Sequence, residues 1–417
     1  MSGVREEPVG RIAPAASMAD AAAQAVIAAL GADGAQVRFV GGCVRDTLRG
    51  APVSDIDLAT PDPPEAVLAL LARAAIKGVP TGIDHGTVTA VVEGRPFEVT
   101  TLRLDVATDG RYAEVTFTDD WRADAARRDF SFNAMSLSPR GDLYDYFGGR
   151  EDLAAGRVRF VGDAAQRIAE DYLRVLRFFR FLARFGHGEP DAEALAACAA
   201  AADKLDRLSI ERVRMELLKL LAAPAPVPAL QAMADLGVLA AVLPEAGPLT
   251  TLLVLCGIDD RDPVRRLAAL IGTGGEAVGR RLKMANAEIA RLARLAPPAC
   301  PLEAAMSVAA QRQVLHDLGP GLFRDLVLLA WAGDRQGRAS AWRAMLETAN
   351  GWEAPRLPIR GADITAMGVP GGPQVGRILA GVEGWWRMRD FRPGRPACLE
   401  VARALASGEE IATDPDQ

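Results

Sequence analysis

The chain has 417 residues, which at about 150 residues per domain predicts two or three domains. Half of the residues are hydrophobic and 24% are charged, a globular composition that excludes extended disorder. The formal charge is −6, from 48 basic and 54 acidic residues, and argues against a general coat for nucleic acids.

The five cysteines are widely separated and form no CxxC pair, so the sequence predicts neither a disulfide framework nor a zinc site. The most apolar stretch, residues 249–258, is shorter than the roughly 20 residues that a membrane-spanning helix needs. The first residues also lack a basic segment ahead of an apolar core. We therefore expect a protein of the reducing cytoplasm, with no membrane partner.

The first part of the chain alternates between strand and helix patterns. Runs with a period of two, bounded by Gly, Pro and Asp, are typical of strands. They occur at residues 54–59, 87–92 and 96–102, after a short apolar strand at 37–40. Consecutive prolines predict the start of a helix that runs from 64 to about 75.

From about residue 152 the strand patterns stop, and Ala, Leu and Arg recur at helical spacing. Proline and glycine divide this helical part into blocks, near residues 224–228, 319–320 and 355–358. The predicted fold class is therefore α+β, with an N-terminal head that contains a mixed β-sheet and an all-helical remainder.

Two aspartates alternate with apolar residues at the first of these period-two runs. On a strand, Asp55 and Asp57 would share one face while Ile56 and Leu58 face the core. Two neighbouring carboxylates repel unless a cation lies between them, and a hard divalent ion such as Mg²⁺ suits oxygen ligands. A pair of solvated aspartates at a strand edge is the alternative interpretation of this motif.

A third carboxylate strengthens the metal hypothesis. Glu98 lies on another predicted strand, with Phe97 and Val99 on the opposite face. Three carboxylates on neighbouring strands suit a metal-assisted phosphoryl transfer, in which metal ions activate a hydroxyl and hold a triphosphate. We therefore predict Asp55, Asp57 and Glu98 as catalytic residues, with Asp55 and Asp57 as the metal ligands.

A glycine turn follows the strand at 37–40. Gly41 and Gly42 would let the backbone approach a phosphate, and Arg45 could pair with that phosphate. The start of the helix after the turn also favours an anion. The motif is neither GxGxxG nor GxxxxGK[ST], which disfavours a dinucleotide fold and a P-loop. A plain tight turn is the alternative.

Several motifs together resemble one family. They are GGCVRD at residues 41–46, DID at 55–57, RRDFSFNA at 127–134, DYFGG at 145–149 and EDYLRVLR at 170–177. In this order they resemble the polymerase-beta-like nucleotidyltransferases, and more narrowly the class II family of CCA-adding tRNA nucleotidyltransferases and poly(A) polymerases. Ser131 stands where this family usually has Thr. The resemblance implies a nucleotidyltransferase head at 1–152, a base-selecting helical neck at 153–222, a helical body at 223–350 and a tRNA-binding helical tail at 351–417.

The last motif suggests how a base could be selected. At about 100° per helical residue, Asp171 and Arg174 lie about 60° apart on one face. A carboxylate accepts from an exocyclic amine, and a guanidinium donates to an unprotonated ring nitrogen. Cytosine and adenine both present that edge, whereas uracil and guanine do not. A surface salt bridge between the two residues is the alternative interpretation.

The resemblance implies further nucleotide-binding residues. Gly42, Arg45 and Arg128 would hold the triphosphate, and Asp129 would approach the ribose. Arg177 and Arg180 are implied as well. Arg180 would lie about 180° around the helix from Asp171, so a phosphate contact or helix packing suits it better than the base edge. The polar segment 105–111 resembles the family's mobile loop beside the active site.

The predicted function is Mg²⁺-dependent transfer of CMP and AMP from CTP and ATP to the 3′ acceptor end of tRNA, with release of pyrophosphate. Arginine clusters at 157–184 and 387–395 would face tRNA phosphates, or else lie on solvated helix faces. DNA is not an expected partner. The alternatives are a poly(A) polymerase, which shares the head motifs, an enzyme that adds only CC or only A, and a non-catalytic RNA-binding protein.

Overall fold

The computed structural model describes residues 7–108 and 113–409, and it describes only the backbone of 105–108 and 113–114. The side chains of the predicted mobile loop at 105–111 therefore lie outside the described residues. The chain forms two compact units, Met1–Ala246 and Gly247–Gln417. Across the described ranges, no helix combines the length and the apolar character that crossing a membrane would require.

All strands among the described residues belong to the first unit. In chain order they are β1 (Gly10–Arg11), β2 (Arg38–Val40), β3 (Asp57–Thr60), β4 (Lys77–Gly82), β5 (Thr87–Val92), β6 (Arg95–Thr101), β7 (Arg103–Thr108), β8 (Ala113–Phe117), β9 (Ser136–Leu137) and β10 (Asp142–Tyr144). Eight of them form one sheet in the order β1-β10-β9-β2-β3-β6-β5-β4, and β7 pairs with β8. The pair β3 and β6 is parallel and the other neighbours are antiparallel, so the sheet is mixed as predicted.

Helices of the first unit flank the sheet and then continue beyond it. They are α1 (Ala21–Leu30), α2 (Gly42–Leu48), α3 (Pro64–Arg73), α4 (Trp121–Ala126), α5 (Gly149–Ala154), α6 (Ala164–Glu170), α7 (Leu173–Phe185), α8 (Ala192–Ala200), α9 (Ile210–Leu221), α10 (Pro226–Asp235) and α11 (Val238–Val242). Aspartates cap several of their N-termini. Asp20 accepts from the Ala23 amide and Asp163 from the Gln166 amide, which satisfies amides that have no partner within the helix.

An aromatic core joins the RRDFSFNA segment to α7. The rings of Phe130 and Phe132 lie 5.2 Å from that of Phe181, in edge-to-face contact. Phe160 packs on Phe130 from the segment between α5 and α6. Buried aromatic pairs of this kind stabilise a domain beyond their buried area. The polar residues of the RRDFSFNA segment are therefore held in a fixed position against α7.

The second unit is helical throughout its described residues. Its helices are α12 (Thr250–Cys256), α13 (Pro263–Ile271), α14 (Gly275–Arg281), α15 (Asn286–Leu295), α16 (Val308–Gly333), α17 (Ala339–Ala349), α18 (Gly361–Thr365), α19 (Pro373–Met388) and α20 (Arg395–Ala406). Helix α16 is kinked at Gly319, which has φ 75°, immediately before Pro320. Buried Asp325 accepts from both Arg265 and Arg291 and so connects α13, α15 and α16.

The α+β prediction is confirmed, and most predicted strands lie within a residue of their observed bounds. One strand boundary was wrong. The run predicted at 54–59 becomes a strand only at Asp57, so Asp55 precedes β3. The division of the helical part into neck, body and tail remains a prediction.

Candidate active site

A cavity of about 450 Å³ lies in the first unit, between the sheet edge and the helices that follow. All predicted site residues except Asp55 and Glu98 line it. The lining residues are Gly41, Gly42, Arg45, Asp57, Arg128, Asp129, Asn133, Asp171, Leu173, Arg174, Arg177, Arg180, Phe181 and Arg212. The cavity thus holds both acidic and basic groups, with the arginines in excess.

The carboxylates meet where β3 begins. Asp57 is the first residue of β3 and is in register with Glu98 on the parallel strand β6. Asp55 is exposed and lies just before the strand, so it reaches this edge from a loop. Burial raises the pKa of Asp57 to about 6, and the charges of Glu98 and Asp55 add to this effect despite the opposing effect of Arg128.

The raised pKa therefore reflects first the burial of this carboxyl group and then the neighbouring charges of Glu98 and Asp55. A hard divalent cation is suited to such a site, because it stabilises buried carboxylates in their charged form. In the part of the chain that the structure describes, no three acidic, histidine or cysteine side chains are arranged to hold a metal ion by themselves. The carboxylates at the start of β3 are ligands of the kind that Mg²⁺ prefers; this ion commonly takes only one or two protein carboxylates and completes its shell with phosphates and water.

The glycine turn brings the backbone close to Arg128 and Asp57. Gly41 has φ 71°, and a side chain there would lie 3.1 Å from a guanidinium nitrogen of Arg128 and 3.8 Å from Oδ2 of Asp57. The positive φ favours glycine at this position, whereas a small shift of the Arg128 side chain would make room for a Cβ atom. Arg45 is buried at the cavity wall, where it donates to Oδ1 of Asn133 at 2.8 Å and forms two hydrogen bonds with Asp46.

Asp129 is fixed from two sides. It accepts from Nε of Arg177 at 2.6 Å and from Nδ2 of Asn133 at 3.0 Å. Burial alone would raise the pKa of Asp129, but the charge and hydrogen bond of Arg177 and the amide of Asn133 outweigh it, so the pKa lies below its usual value. Asp129 is therefore a charged hydrogen-bond acceptor in the cavity wall.

The predicted helical geometry of the base-reading pair was wrong. Asp171 is extended, with φ −156° and ψ 106°, at the break between α6 and α7. It does not belong to the same helix as Arg174, so the predicted separation of about 60° around one helix does not apply. Its Oδ2 pairs with Arg212 of α9 at 2.7 Å. Arg174 instead pairs with Glu170 and donates to the Arg167 carbonyl at 2.8 Å. The surface salt bridge between Asp171 and Arg174 is therefore not formed, although both residues line the cavity.

Arg180 is held mainly by its protein neighbours. Its Nε lies 2.5 Å from Oε2 of buried Glu216 on α9, and its guanidinium carbon lies 3.9 Å from the ring centre of Phe181. Burial lowers the pKa of Arg180, and Arg177 lowers it further, against the effect of Glu216. These contacts are those expected for helix packing beside the cavity.

Comparison with known proteins finds the same family that the sequence motifs resemble. Residues 37–159 match the family model "Poly A polymerase head domain", and residues 189–249 match "Probable RNA and SrmB- binding site of polymerase A". The human protein "CCA tRNA nucleotidyltransferase 1, mitochondrial" is 35% identical over 388 residues, which cover 88% of this chain and 86% of the relative. The chain belongs to the CCA-adding enzyme and poly(A) polymerase family.

Bacterial members of this family match as well. The CCA-adding enzyme of Geobacillus stearothermophilus is 40% identical over 219 residues, about half of each chain. The crystal structure of the Bacillus stearothermophilus CCA-adding enzyme in complex with CTP superimposes with a TM-score of 0.68 and 28% identity. This superposition covers 93% of this chain and 92% of that one. The likeness to the CCA-adding enzyme family therefore extends over both units.

Four lining residues were not predicted as site residues: Asn133, Leu173, Phe181 and Arg212. Asn133 and Leu173 belong to motifs of the CCA-adding enzyme family already recognised in the sequence, and their place in those motifs was a usable signal. Arg212, on α9, lies 41 residues along the chain from its partner Asp171. Nothing in the local sequence distinguishes it from the other arginines.

Proposed function

We propose that this protein completes the 3′ end of tRNA by adding CMP and AMP from CTP and ATP, with release of pyrophosphate. One observation carries the proposal: the base-reading candidates Asp171 and Arg174 line the same cavity as Asp57 and Arg128. The nearly full-length match to a CCA tRNA nucleotidyltransferase supports the same reaction. A nucleotide in this cavity would have its base and its triphosphate within reach of different protein groups.

The proposed catalytic residues are Asp55, Asp57 and Glu98. A divalent cation, Mg²⁺ in our proposal, would be held by Asp55 and Asp57. When bound, it would make the 3′-hydroxyl of the acceptor RNA more acidic and would neutralise part of the phosphate charge. Glu98, in register with Asp57, would contribute negative charge that favours cation binding. Gly42, Arg45 and Arg128 would bind the triphosphate, since guanidinium groups and accessible backbone amides suit phosphate oxygens.

Base selection is assigned to Asp171 and Arg174. The carboxylate would accept from the exocyclic amine of cytosine or adenine, and the guanidinium would donate to the adjacent ring nitrogen. Uracil and guanine would lose both hydrogen bonds, which in a desolvated pocket costs several kcal/mol. Asp129 would face the ribose, with its charge maintained by Arg177. Arg180 would act on the nucleotide mainly by packing the helix that carries Arg174 and Arg177.

The helical body and the tail at 351–417 are proposed to hold the tRNA. In the second unit Arg387 pairs with Asp317 at 2.5 Å, and the guanidinium of Arg389 lies 4.7 Å from the ring centre of Trp385. If this surface binds tRNA, the Arg387→Glu/Arg389→Glu variant should weaken tRNA binding. Unchanged binding would remove these two residues from the tRNA interface.

The proposed compartment is the cytoplasm. The described cysteines are all free thiols, which suits a reducing environment. The human relative is named as mitochondrial, so localisation of a tagged full-length chain is the deciding measurement.

Product length on a tRNA transcript that lacks its last three nucleotides tests the function. With Mg²⁺, we expect two additions with CTP alone and three with CTP and ATP together. Long ladders with ATP alone would instead establish a poly(A) polymerase, an alternative favoured by the name of the matching head-domain model. Extension by only CC or only A in the presence of both nucleotides would identify a partial activity. Retention of RNA without extension would support a binding protein.

A further inference from the structure

Three arginines surround the ring of Phe185, the last residue of α7. The guanidinium carbons of Arg45, Arg49 and Arg184 lie 5.1, 4.3 and 5.2 Å from the centre of this ring. Arg49 directly follows α2, one turn after Arg45, and Arg184 belongs to the last turn of α7. Because the ring of Phe185 is buried, it is held in place by its packing. Residues of α2 and α7 bring three positively charged guanidinium groups to this ring.

Only Arg45 has its charge balanced within this cluster. It forms two hydrogen bonds with Asp46 and one with Asn133. Arg49 and Arg184 are exposed, and no carboxylate of the described ranges forms an ion pair with either. Partial desolvation lowers the pKa of Arg49, and repulsion by Arg184 and Arg45 lowers it further against the attraction of Asp46. The cluster therefore concentrates positive charge that local protein groups leave uncompensated.

The position of the cluster relates it to the reaction. Arg45 lines the active-site cavity, whereas Arg49 and Arg184 lie beyond the set of lining residues. Each is one helical turn further along its element than a cavity residue, Arg45 on α2 and Arg180 on α7. The two exposed guanidiniums are thus at the rim of the cavity, on the side where α2 and α7 converge on Phe185.

We propose that Arg49 and Arg184 form a phosphate-binding site at this rim, outside the nucleotide site. Guanidinium groups bind phosphate oxygens through paired hydrogen bonds, and two of them beside an apolar ring suit one oxyanion. Two sources supply this chemistry in the proposed reaction: a backbone phosphate of the RNA acceptor strand, and the pyrophosphate that leaves. The inference rests on the proposed function for the identity of these two sources.

The test compares the Arg49→Gln/Arg184→Gln variant with the wild type in two binding assays without CTP or ATP. The first measures affinity for a tRNA transcript lacking CCA over a series of salt concentrations. The second measures affinity for inorganic pyrophosphate in the presence of Mg²⁺. The matched control is Arg122→Gln, because Arg122 is also exposed and lies 6.0 Å from a single phenylalanine ring, that of Phe147.

If the site takes an RNA phosphate, the variant should bind the transcript about tenfold more weakly at low salt. The slope of log K against log salt should also become shallower by about 0.7 to 0.9, as expected for one lost phosphate contact. If it takes the leaving group, the dissociation constant for pyrophosphate should rise about tenfold with the RNA slope unchanged. If neither assay differs from the Arg122→Gln control, the proposed site is wrong.

Stability and function are checked separately. The thermal unfolding midpoint should match that of the wild type. If the double variant unfolds, the single variants Arg49→Gln and Arg184→Gln replace it in both assays, and the proposed site is wrong if neither of them differs from Arg122→Gln. Extension of the same transcript by the wild type tests the proposed function. Normal extension with an unchanged slope and unchanged pyrophosphate affinity would refute the rim site alone. If the wild type does not extend the transcript but binds pyrophosphate more tightly than the Arg49→Gln/Arg184→Gln variant, the proposed function is wrong and the rim site is supported.

Discussion

Arg212 holds Asp171 in place at the wall of the cavity. Its Nη2 lies 2.7 Å from Oδ2 of Asp171, while Oδ1 accepts from the amide of Leu173 at 3.1 Å. Both carboxylate oxygens are therefore engaged, one by the first residue of α7 and one by α9. The orientation of the proposed base-reading carboxylate thus depends on a helix that lies 41 residues further along the chain.

Arg212→Gln should reduce base discrimination. Without its partner, the Asp171 carboxylate would be free to rotate, and a hydrogen bond to a charged group contributes about 1.5–3 kcal/mol. We expect the preference for CTP over UTP, measured as the ratio of kcat/KM values, to fall by about tenfold or more. Arg214→Gln, on the same helix but outside the cavity lining, is the control. A preserved preference in Arg212→Gln would show that Asp171 is positioned without Arg212.

Asp171→Asn should alter the choice of base in a defined direction. An amide keeps the size of the side chain but offers a donor, which matches the O4 carbonyl of uracil better than a carboxylate does. Incorporation of UMP relative to CMP should therefore rise, by about tenfold or more if the loss of one charged hydrogen bond dominates. Single-nucleotide extension with CTP or UTP measures the change. An equal loss of both activities would argue for a structural role of Asp171.

The sequence was sufficient to predict the residues that act within one element or one motif. Period-two patterns placed Asp57 and Glu98 on strands, and the structure brings them into register. The break at Asp171 was not predictable from helical periodicity. There the side chain accepts from the amide of Leu173 and so competes with helix continuation, a local effect that the apolar pattern of α7 conceals.

Contacts between residues that are far apart in the sequence were the other feature that could not be predicted. Arg45 meets Asn133 across 88 positions, and Arg180 meets Glu216 across 36. Such pairs depend on how elements pack, and a single sequence with many arginines contains no signal for which arginine meets which amide or carboxylate partner. The family motifs compensated for this within the head, where they grouped distant residues into one site. They gave no such help for Arg212, which lies outside them.

Asp57→Asn should abolish activity yet stabilise the metal-free protein at neutral pH. The folded-state pKa of Asp57, about 6, is above its ordinary value of 3.8, so folding favours the protonated form. Ionisation therefore costs stability progressively as pH rises from about 4 to 6, and the full cost, at most about 3 kcal/mol, applies above that range. The asparagine variant avoids this cost and should unfold at a higher temperature than the wild type at pH 8 in EDTA.

Metal addition provides the matching control. At pH 8 Mg²⁺ should raise the unfolding temperature of the wild type by mass action, and it should have a smaller effect on Asp57→Asn. At pH 3 or below both differences should become negligible, because the pH is then below both the folded pKa and the ordinary value of 3.8, and the carboxyl is largely protonated in the folded and the unfolded protein. Equal stabilisation of both proteins by Mg²⁺ at pH 8 would contradict the assignment of Asp57 as a metal ligand.

Glu216→Gln should destabilise the first unit with only a small effect on nucleotide affinity. Glu216 is 2% exposed and is the carboxylate partner of Arg180, so the substitution leaves a largely buried guanidinium without its counter-charge. Removing one member of a buried ion pair typically costs about 3–5 kcal/mol. Denaturant unfolding should show a loss of this size, whereas Glu193→Gln, at an exposed position in the first turn of α8, should cost well under 1 kcal/mol.

The kinetic result then decides how Arg180 acts. Glu216 is not among the cavity-lining residues, so the variant changes the support of Arg180 rather than the cavity surface itself. If Arg180 serves mainly to pack α7 against α9, KM for CTP should rise by less than about threefold at a temperature where the variant remains folded. A tenfold rise in KM with unchanged kcat would mean that Arg180 contacts the nucleotide directly, and that Glu216 holds its guanidinium in the orientation this contact needs.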